Sequence, residues 1–296
     1  MSLPFITDEY LTRQKRVFDQ LPESSLLIVP TNDRKFRSND VGYPFRANSY
    51  ILYLCGWEED EGIFVAQNIT GEWKTTLFVP PRDTKKEIWE GIRTGMEGAL
   101  DWPIMHSDDI GSFDLKISDL IDKAEHIFSI TGVSENIDGI LSNNENVSDL
   151  SEIIDPMRVI KSASEIEQMK KAAEIGSQAH ILAMKKSYPG IGEWEIQSAV
   201  EGHFISNKSQ WSFPSIVGGG DNGTILHYKL NNSKVEDGEL VLVDAGCEVN
   251  GYASDITRTW PVNGKFTKPQ MEIYEIVLKA ELAGIDACIV GSEWAS

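Results

Sequence analysis

Two aspartates in the stretch Leu240 to Trp260, LVLVDAGCEVNGYASDITRTW, carry side chains and spacing suited to chemistry. An unbroken aliphatic run, Leu240-Val241-Leu242-Val243, suits a buried strand and delivers Asp244 at its end. Asn250-Gly251 follows, the pair favoured in a two-residue type I′ turn because both positions need positive φ. With that turn fixed, Val249 faces Tyr252, Gly246 faces Asp255 and Asp244 faces Thr257. Directly opposed residues share a face, as do residues two apart on one strand, so Asp244 and Asp255 become diagonal neighbours. Diagonal Cβ atoms lie roughly 7 Å apart or less, within reach of one metal ion or of two about 3.5 to 4 Å apart. Gly246 puts no side chain between them. Two carboxylates crowded on a largely apolar sheet repel each other and are costly to desolvate, which favours a cation. On spacing alone, a solvated acidic rim beside an ordinary turn explains the pattern equally well.

The elements that must hold this hairpin can be read along the chain. An amphipathic helix over Asp8 to Gln20 opens it, with Tyr10, Leu11, Val17 and Phe18 as candidate core positions. Strand patterns follow at Leu26 to Val29, Tyr50 to Leu54, Ile63 to Ala66, Trp73 to Val79 and His126 to Ile130, and helical ones at Asp83 to Gly91 and Leu115 to Lys123. This mixture predicts a compact α/β domain over 1–155. The polar, turn-rich segment Ser142 to Asp155, ahead of Pro156, marks the boundary with a second domain over 156–296. That domain begins with a long helix ended by Pro189-Gly190, with Ile166, Met169, Ala173, Ile175, Ala179, Leu182 and Ala183 as its buried stripe. A second helix spans Gly192 to Asn207, a strand Trp211 to Val217, and a glycine-rich loop Gly218 to Gly223. No Gly-Lys-Ser/Thr follows, so the loop is not a phosphate loop; its glycines suit close backbone approach. After the hairpin, Thr267-Lys268-Pro269-Gln270 forms a capping box for a helix to Ala287.

Composition narrows the class. The 296 residues suffice for two domains, and a formal net charge of -19, from 46 acidic and 27 basic residues, argues against nucleic acid or an anionic membrane as partner. No apolar run approaches the roughly 20 residues needed to span a bilayer, and the start has no signal-peptide pattern. Cys55, Cys247 and Cys288 are too scattered for a disulfide framework or a cysteine zinc site, so the chain reads as cytoplasmic. Cys247, three residues from Asp244, falls on the opposite face as a small buried residue.

Ile225-Leu226-His227-Tyr228, Val243-Asp244-Ala245-Gly246-Cys247 and Gly251-Tyr252-Ala253-Ser254-Asp255-Ile256-Thr257-Arg258-Thr259 together resemble the aminopeptidase P and prolidase group of metallopeptidases. Tyr43-Pro44-Phe45-Arg46-Ala47-Asn48-Ser49 and Glu87-Ile88-Trp89 resemble the amino-terminal domain of the bacterial-type Xaa-Pro aminopeptidases, and Arg158-Val159-Ile160-Lys161-Ser162 the approach to their catalytic domain. The resemblance implies an α/β fold: an N-terminal mixed-sheet domain followed by the first half of a pita-bread catalytic domain. It implies two divalent metal ions, Mn²⁺ foremost with Co²⁺ or Zn²⁺ as alternatives, held in part by Asp244 and Asp255, with Asp255 as the bridge. By the same resemblance His227 is the catalytic histidine beside the metals. Trp89 is either a core aromatic or a lid toward a neighbouring subunit's cleft, and Asp40 is a weaker substrate-binding candidate of the same kind. Arg258 either orients Asp255 or forms a surface pair, and Tyr228 is read as packing.

The reaction implied is release of the residue preceding a proline from peptides with proline in second place, by a homo-oligomer. The alternatives are a prolidase restricted to dipeptides and a non-catalytic peptide-binding or oligomerisation module. Family members complete their site with one histidine and two glutamates from the second half. The histidines here, His106, His126, His180, His203 and His227, form no such cluster. An echo of Gly192-Glu193-Trp194 at Gly291-Ser292-Glu293-Trp294 suggests where a second half-domain would begin. The expectation is a truncated catalytic domain that binds metal poorly by itself.

Overall fold

The computed structural model describes residues 3–293. Trp294, the last residue of the echo, lies outside them. The chain resolves into two compact units, Met1–Ser164 and Glu165–Ser296.

The first unit is built on a six-stranded mixed sheet. In chain order its elements are helix α1 (Thr7–Phe18), strand β1 (Ser25–Pro30), the short hairpin β2 (Phe36–Ser38) and β3 (Val41–Gly42), α2 (Ser49–Cys55), β4 (Ile63–Gln67), β5 (Lys74–Val79), α3 (Thr84–Glu90), α4 (Gly95–Ala99), β6 (His106–Asp109), α5 (Phe113–Lys123), β7 (His126–Ser129), α6 (Glu135–Leu141), β8 (Val147–Asp149) and α7 (Ser151–Val159). The sheet order is β6-β5-β4-β1-β7-β8. Strand β1 lies inside it, antiparallel to β4 and parallel to β7, and all six of its residues are buried. Alternation along β1 explains this: Leu27 and Val29 enter one core with Ile51, Leu54, Ile154 and Met157, whereas Leu26 and Ile28 enter a second with Phe113, Ile117, Ile137 and Leu141.

Three expectations change here. Tyr50 to Leu54 is helical rather than extended. Asn48 caps α2 by accepting the backbone N–H groups of Tyr50 and Ile51 at 3.0 Å, and Gly56 closes it in the left-handed region at φ 71°. In α1 the buried set is Tyr10, Arg13, Gln14 and Val17, while Leu11 is exposed and Phe18 stacks on Trp73. The guanidinium of Arg13 is tolerated because Glu9 pairs with it at 2.7 Å and the rings of Phe5 and Tyr53 flank it at 4.6 and 4.3 Å. Finally, α7 crosses the expected boundary at Pro156. Ile154 and Met157 belong to the first unit's core, so the polar stretch before them is not a linker.

The second unit comprises α8 (Ala163–Lys186), α9 (Glu193–Ser206), β9 (Gln210–Trp211), β10 (Ile216–Gly219), β11 (Leu240–Ala245), β12 (Cys247–Val249), β13 (Tyr252–Ala253), β14 (Ile256–Pro261) and α10 (Lys268–Ala287). Strands β10, β11 and β14 form one small antiparallel sheet, and β13, β12 and β9 another. The expected strand Trp211 to Val217 is broken at Ser212-Phe213-Pro214 into β9 and β10. Val241, Val243, Ala245, Cys247 and Val249 are buried against Ala172, Ile175, Ala179 and Ala183 of α8 and Ile196 and Val200 of α9. The buried face of α8 differs from the apolar stripe expected. Ile166, Met169 and Ala173 are exposed, whereas Glu165 and His180 are buried. Glu165 accepts the Tyr252 hydroxyl at 2.8 Å, and His180 Nδ1 meets the Gly176 carbonyl at 2.9 Å.

Candidate metal centre

The register of the hairpin is the one its turn dictates. Asn250 and Gly251 adopt φ 53° and 83°, and Val249 pairs with Tyr252, Glu248 with Ala253, Ala245 with Ile256 and Asp244 with Thr257. The odd-numbered residues of β11 and β12 face the helices, with the Cys247 thiol donating to the Ala172 carbonyl at 3.4 Å. Asp244 therefore leaves on the face the helices do not cover.

Gly246 interrupts the ladder, and its role differs from the one expected. The space beside it is filled by backbone: a Cβ there would lie 1.7 Å from the Ser254 carbonyl oxygen and 2.9 Å from Ser212 Oγ. This close approach, together with the Ser254 hydroxyl accepting the Cys247 N–H at 3.0 Å, draws the second arm across the first just before Asp255.

The two carboxyl groups converge. Burial pushes the Asp244 carboxyl above the usual carboxylate range. A hydrogen bond from the Thr257 side chain opposes the rise, and the Asp255 carboxylate, close enough for both its charge and a hydrogen bond to count, adds to it. Asp244 Oδ1 is buried without a hydrogen-bond partner, while Asp255 stands exposed beside it. An orphaned buried carboxylate oxygen next to a second carboxylate fits a hard divalent cation. The pair is a partial set, since the described residues contain no group of three or more His, Cys, Asp or Glu that could hold a metal ion.

His227 is exposed, four residues beyond Gly223, where the chain folds over the same face of the sheet. Gly218 pairs with Leu242, and on that face Gly223 approaches so closely that a Cβ on Gly218 would lie 2.7 Å from its nitrogen; Gly223 itself packs on Leu242, two residues before Asp244. The glycines thus serve close backbone approach, over a 3₁₀ turn from Gly220 to Thr224. Tyr228 does more than pack: it is buried and its hydroxyl donates to Glu193 at 2.8 Å. Arg258 bonds the Thr257 carbonyl at 2.7 Å and sits 3.6 Å from Glu281, the surface-pair alternative.

Trp89 and Asp40 lie in the first unit. Trp89 is 89% exposed on α3, between Ile88 and Ile92, each 81% exposed, so the core alternative for it is set aside. Asp40 occupies the turn joining β2 and β3.

Residues 10–128 match the family model for the aminopeptidase P N-terminal domain, and residues 167–296 match that for metallopeptidase family M24. The chain is 38% identical over 293 residues to the Xaa-Pro aminopeptidase of Haemophilus influenzae, covering 96% of this chain and 68% of that one. The chain belongs to the aminopeptidase P family of metallopeptidases. Human Xaa-Pro aminopeptidase 3 is 33% identical, over 94% of this chain and 58% of its own length. Aminopeptidase P from Escherichia coli, solved with the inhibitor Pro-Leu, superposes with a TM-score of 0.89 at 33% identity, covering 93% of this chain and 66% of that one. This chain thus spans between somewhat over half and about two thirds of these aminopeptidase P relatives. The family is one of metal-dependent Xaa-Pro aminopeptidases of pita-bread fold, and the prolidase alternative is not favoured.

Proposed function

We propose that this chain contributes Asp244 and Asp255 to the dinuclear metal centre of an Xaa-Pro aminopeptidase, with His227 as the catalytic histidine beside it. What supports this reading is one observation: two carboxylates converge on the face of the sheet opposite α8 and α9, and one of their oxygens is buried with nothing to bond. Mn²⁺ is the ion proposed, since oxygen ligands with an imidazole nearby suit a hard cation, with Co²⁺ and Zn²⁺ as alternatives. When bound, the metal pair supplies Lewis acidity toward water and the scissile carbonyl. Asp244, hydrogen-bonded by the Thr257 side chain, and Asp255 beside it would be the residues that hold the metal. His227 would donate to the carbonyl oxygen as negative charge develops there. Two divalent ions would need further ligands beyond this pair.

The substrate proposed is a peptide with proline in second place, whose amide nitrogen carries no hydrogen for a general peptidase to use. Trp89 and Asp40 are proposed to touch such a peptide from a neighbouring copy in a homo-oligomer. The bare apolar cluster around Trp89 supports this, since so large an exposed group marks a contact surface. A cytoplasmic protein without nucleic-acid or membrane partners accords with the acidic surface, the three unpaired cysteines and the absence, among the described residues, of a helix long and apolar enough to cross a membrane.

The test is hydrolysis of an X-Pro-Y tripeptide by the protein as its gene encodes it, with Mn²⁺. Asp255→Asn is expected to abolish turnover and His227→Ala to lower kcat by roughly 10²–10³-fold. Full activity in Asp255→Asn, or turnover confined to X-Pro dipeptides, would refute the assignment.

A further inference from the structure

Helix α9 opens with a side chain that nothing in the chemistry above uses. Glu193, its first residue, is fully buried, and no cation neutralises it among its hydrogen-bond partners. Its Oε1 accepts the Gly219 backbone N–H at 2.8 Å and the Asn222 side-chain amide at 2.9 Å. Its Oε2 accepts the Tyr228 hydroxyl at 2.8 Å and the Ser233 backbone N–H at 2.9 Å. The four donors come from points spread across 219–233, the segment that carries His227. Asn222 also donates to the Tyr228 oxygen at 3.0 Å, which closes the network.

One turn along α9, Gln197 holds the same segment a second time. Its Oε1 accepts the Asn231 side-chain amide at 2.9 Å, and Asn231 in turn donates to the Ser215 carbonyl at 2.8 Å and accepts the Val217 N–H at 3.0 Å. Residues four apart on a helix share a face, so a single face of α9 grips both the departing and the returning strand of the loop. Apolar packing does not do this work: between the anchors, Leu226 is 89% exposed and Leu230 73%. His227 stands next to Tyr228, the one buried side chain from Ile225 to Leu230. A buried carboxyl whose four acceptor sites are all taken by one loop is a costly device for stability alone, and replacement of such networks by apolar groups is often neutral. Fixing a geometry is the use that justifies it.

We propose that Glu193 is a positioning residue for the reaction: through Tyr228, Asn222 and the backbone of Gly219 and Ser233 it sets the place of His227. The inference rests on the role proposed for His227, and its test separates the two. Glu193→Gln is close in size but turns one pair of accepted hydrogen bonds into a clash of donors, and Tyr228→Phe removes one donor without touching the helix. In hydrogen exchange on the 296-residue chain, both variants are expected to lose protection over 218–233, while β11, β14 and α8 keep theirs.

In the protein as its gene encodes it, with Mn²⁺ and an X-Pro-Y tripeptide, Glu193→Gln is expected to lower kcat about tenfold or more with KM little changed. The double variant Glu193→Gln/His227→Ala should be no worse than His227→Ala alone, because both act through one side chain. Losses that multiply in the double variant, or unchanged protection over 218–233 in both single variants, would overturn the clamp. A His227→Ala variant with full activity overturns the role given to Glu193 in the reaction and the catalytic reading together, and the exchange result then states whether the clamp exists without it.

Discussion

Asp244 is held in a state that water would not choose. Its carboxyl is raised by burial first and by the neighbouring Asp255 as well, against a hydrogen bond from Thr257. A carboxyl that binds its proton more tightly folded than unfolded makes folding less favourable as pH rises. In the absence of a cation the loss begins near the unfolded value, about 3.9, and is complete above the raised folded one. Asp244→Asn removes that penalty. The metal-free variant is therefore expected to melt higher than the parent at pH 7, with the gain gone at pH 3, as read by thermal denaturation at the two pH values. The same variant should lose the stabilisation that Mn²⁺ gives the parent. The thiols give a second test at this scale. Burial pushes the Cys55 thiol up to about 12, Cys247 is fully buried, and Cys288 is exposed. Because the thiolate is the nucleophile, native alkylation at pH 8 should label one thiol per chain, at Cys288, and three after denaturation. Fast native labelling of Cys55 would contradict the packing around it.

Among the elements, the hairpin was the one most fully legible in the sequence. Asn250-Gly251 fixes the turn, and the two-residue period then fixes every pair out to Asp244 and Thr257. What the pattern could not supply is the crossing at Gly246, because the space a glycine leaves empty in a sequence can be taken by side chain, solvent or backbone. Here the Ser254 carbonyl takes it, so Gly246→Ala forces the arms apart at the position that brings Asp255 to Asp244. Overpacking against backbone is expected to cost about 3 kcal/mol or more, measured as a fall in the urea midpoint at unchanged slope, and to weaken Mn²⁺ binding in parallel. Helix α2 departs from its strand-like composition for a different reason. Tyr50-Ile51-Leu52-Tyr53-Leu54 has strand composition, but Asn48 and Gly56 lie two helical turns apart and supply a cap at each end; those flanking residues were the available signal. The grip of α9 on the His227 segment had no signature, since Glu193, Gln197, Tyr228 and Asn231 are ordinary polar residues until the fold brings them together. The same holds for buried Arg13, Glu165 and His180, which an apolar stripe passes over.

At the scale of the whole molecule, α10 stands apart from every other long helix. It has 20 residues and none is buried, although Ile273, Ile276, Val277, Leu282 and Ile285 are among them, each at least half exposed. Its Ile273, Val277 and Leu278 line, with Thr257 and Thr259 of β14, a groove of about 970 Å³ that also takes in Asp255. The capping box at Thr267, where Gln270 accepts the Thr267 N–H at 2.8 Å, starts the helix, but local signals alone leave a helix of this length marginal in water. Its stability must come from burial of those side chains, and the relatives extend well beyond the part they share with this chain. As a free 296-residue chain, the protein is therefore expected to show amide exchange over 268–287 close to that of an unprotected peptide, while α8, with seven buried residues, stays protected. The same chain should bind an apolar dye such as anilinonaphthalene sulfonate and associate as concentration rises, and Ile273→Lys/Val277→Lys should suppress both without shifting the melting of the first unit. Protection of α10 equal to that of α8, in a chain shown by light scattering to be monomeric, would mean that the helix is held by contacts other than these exposed side chains.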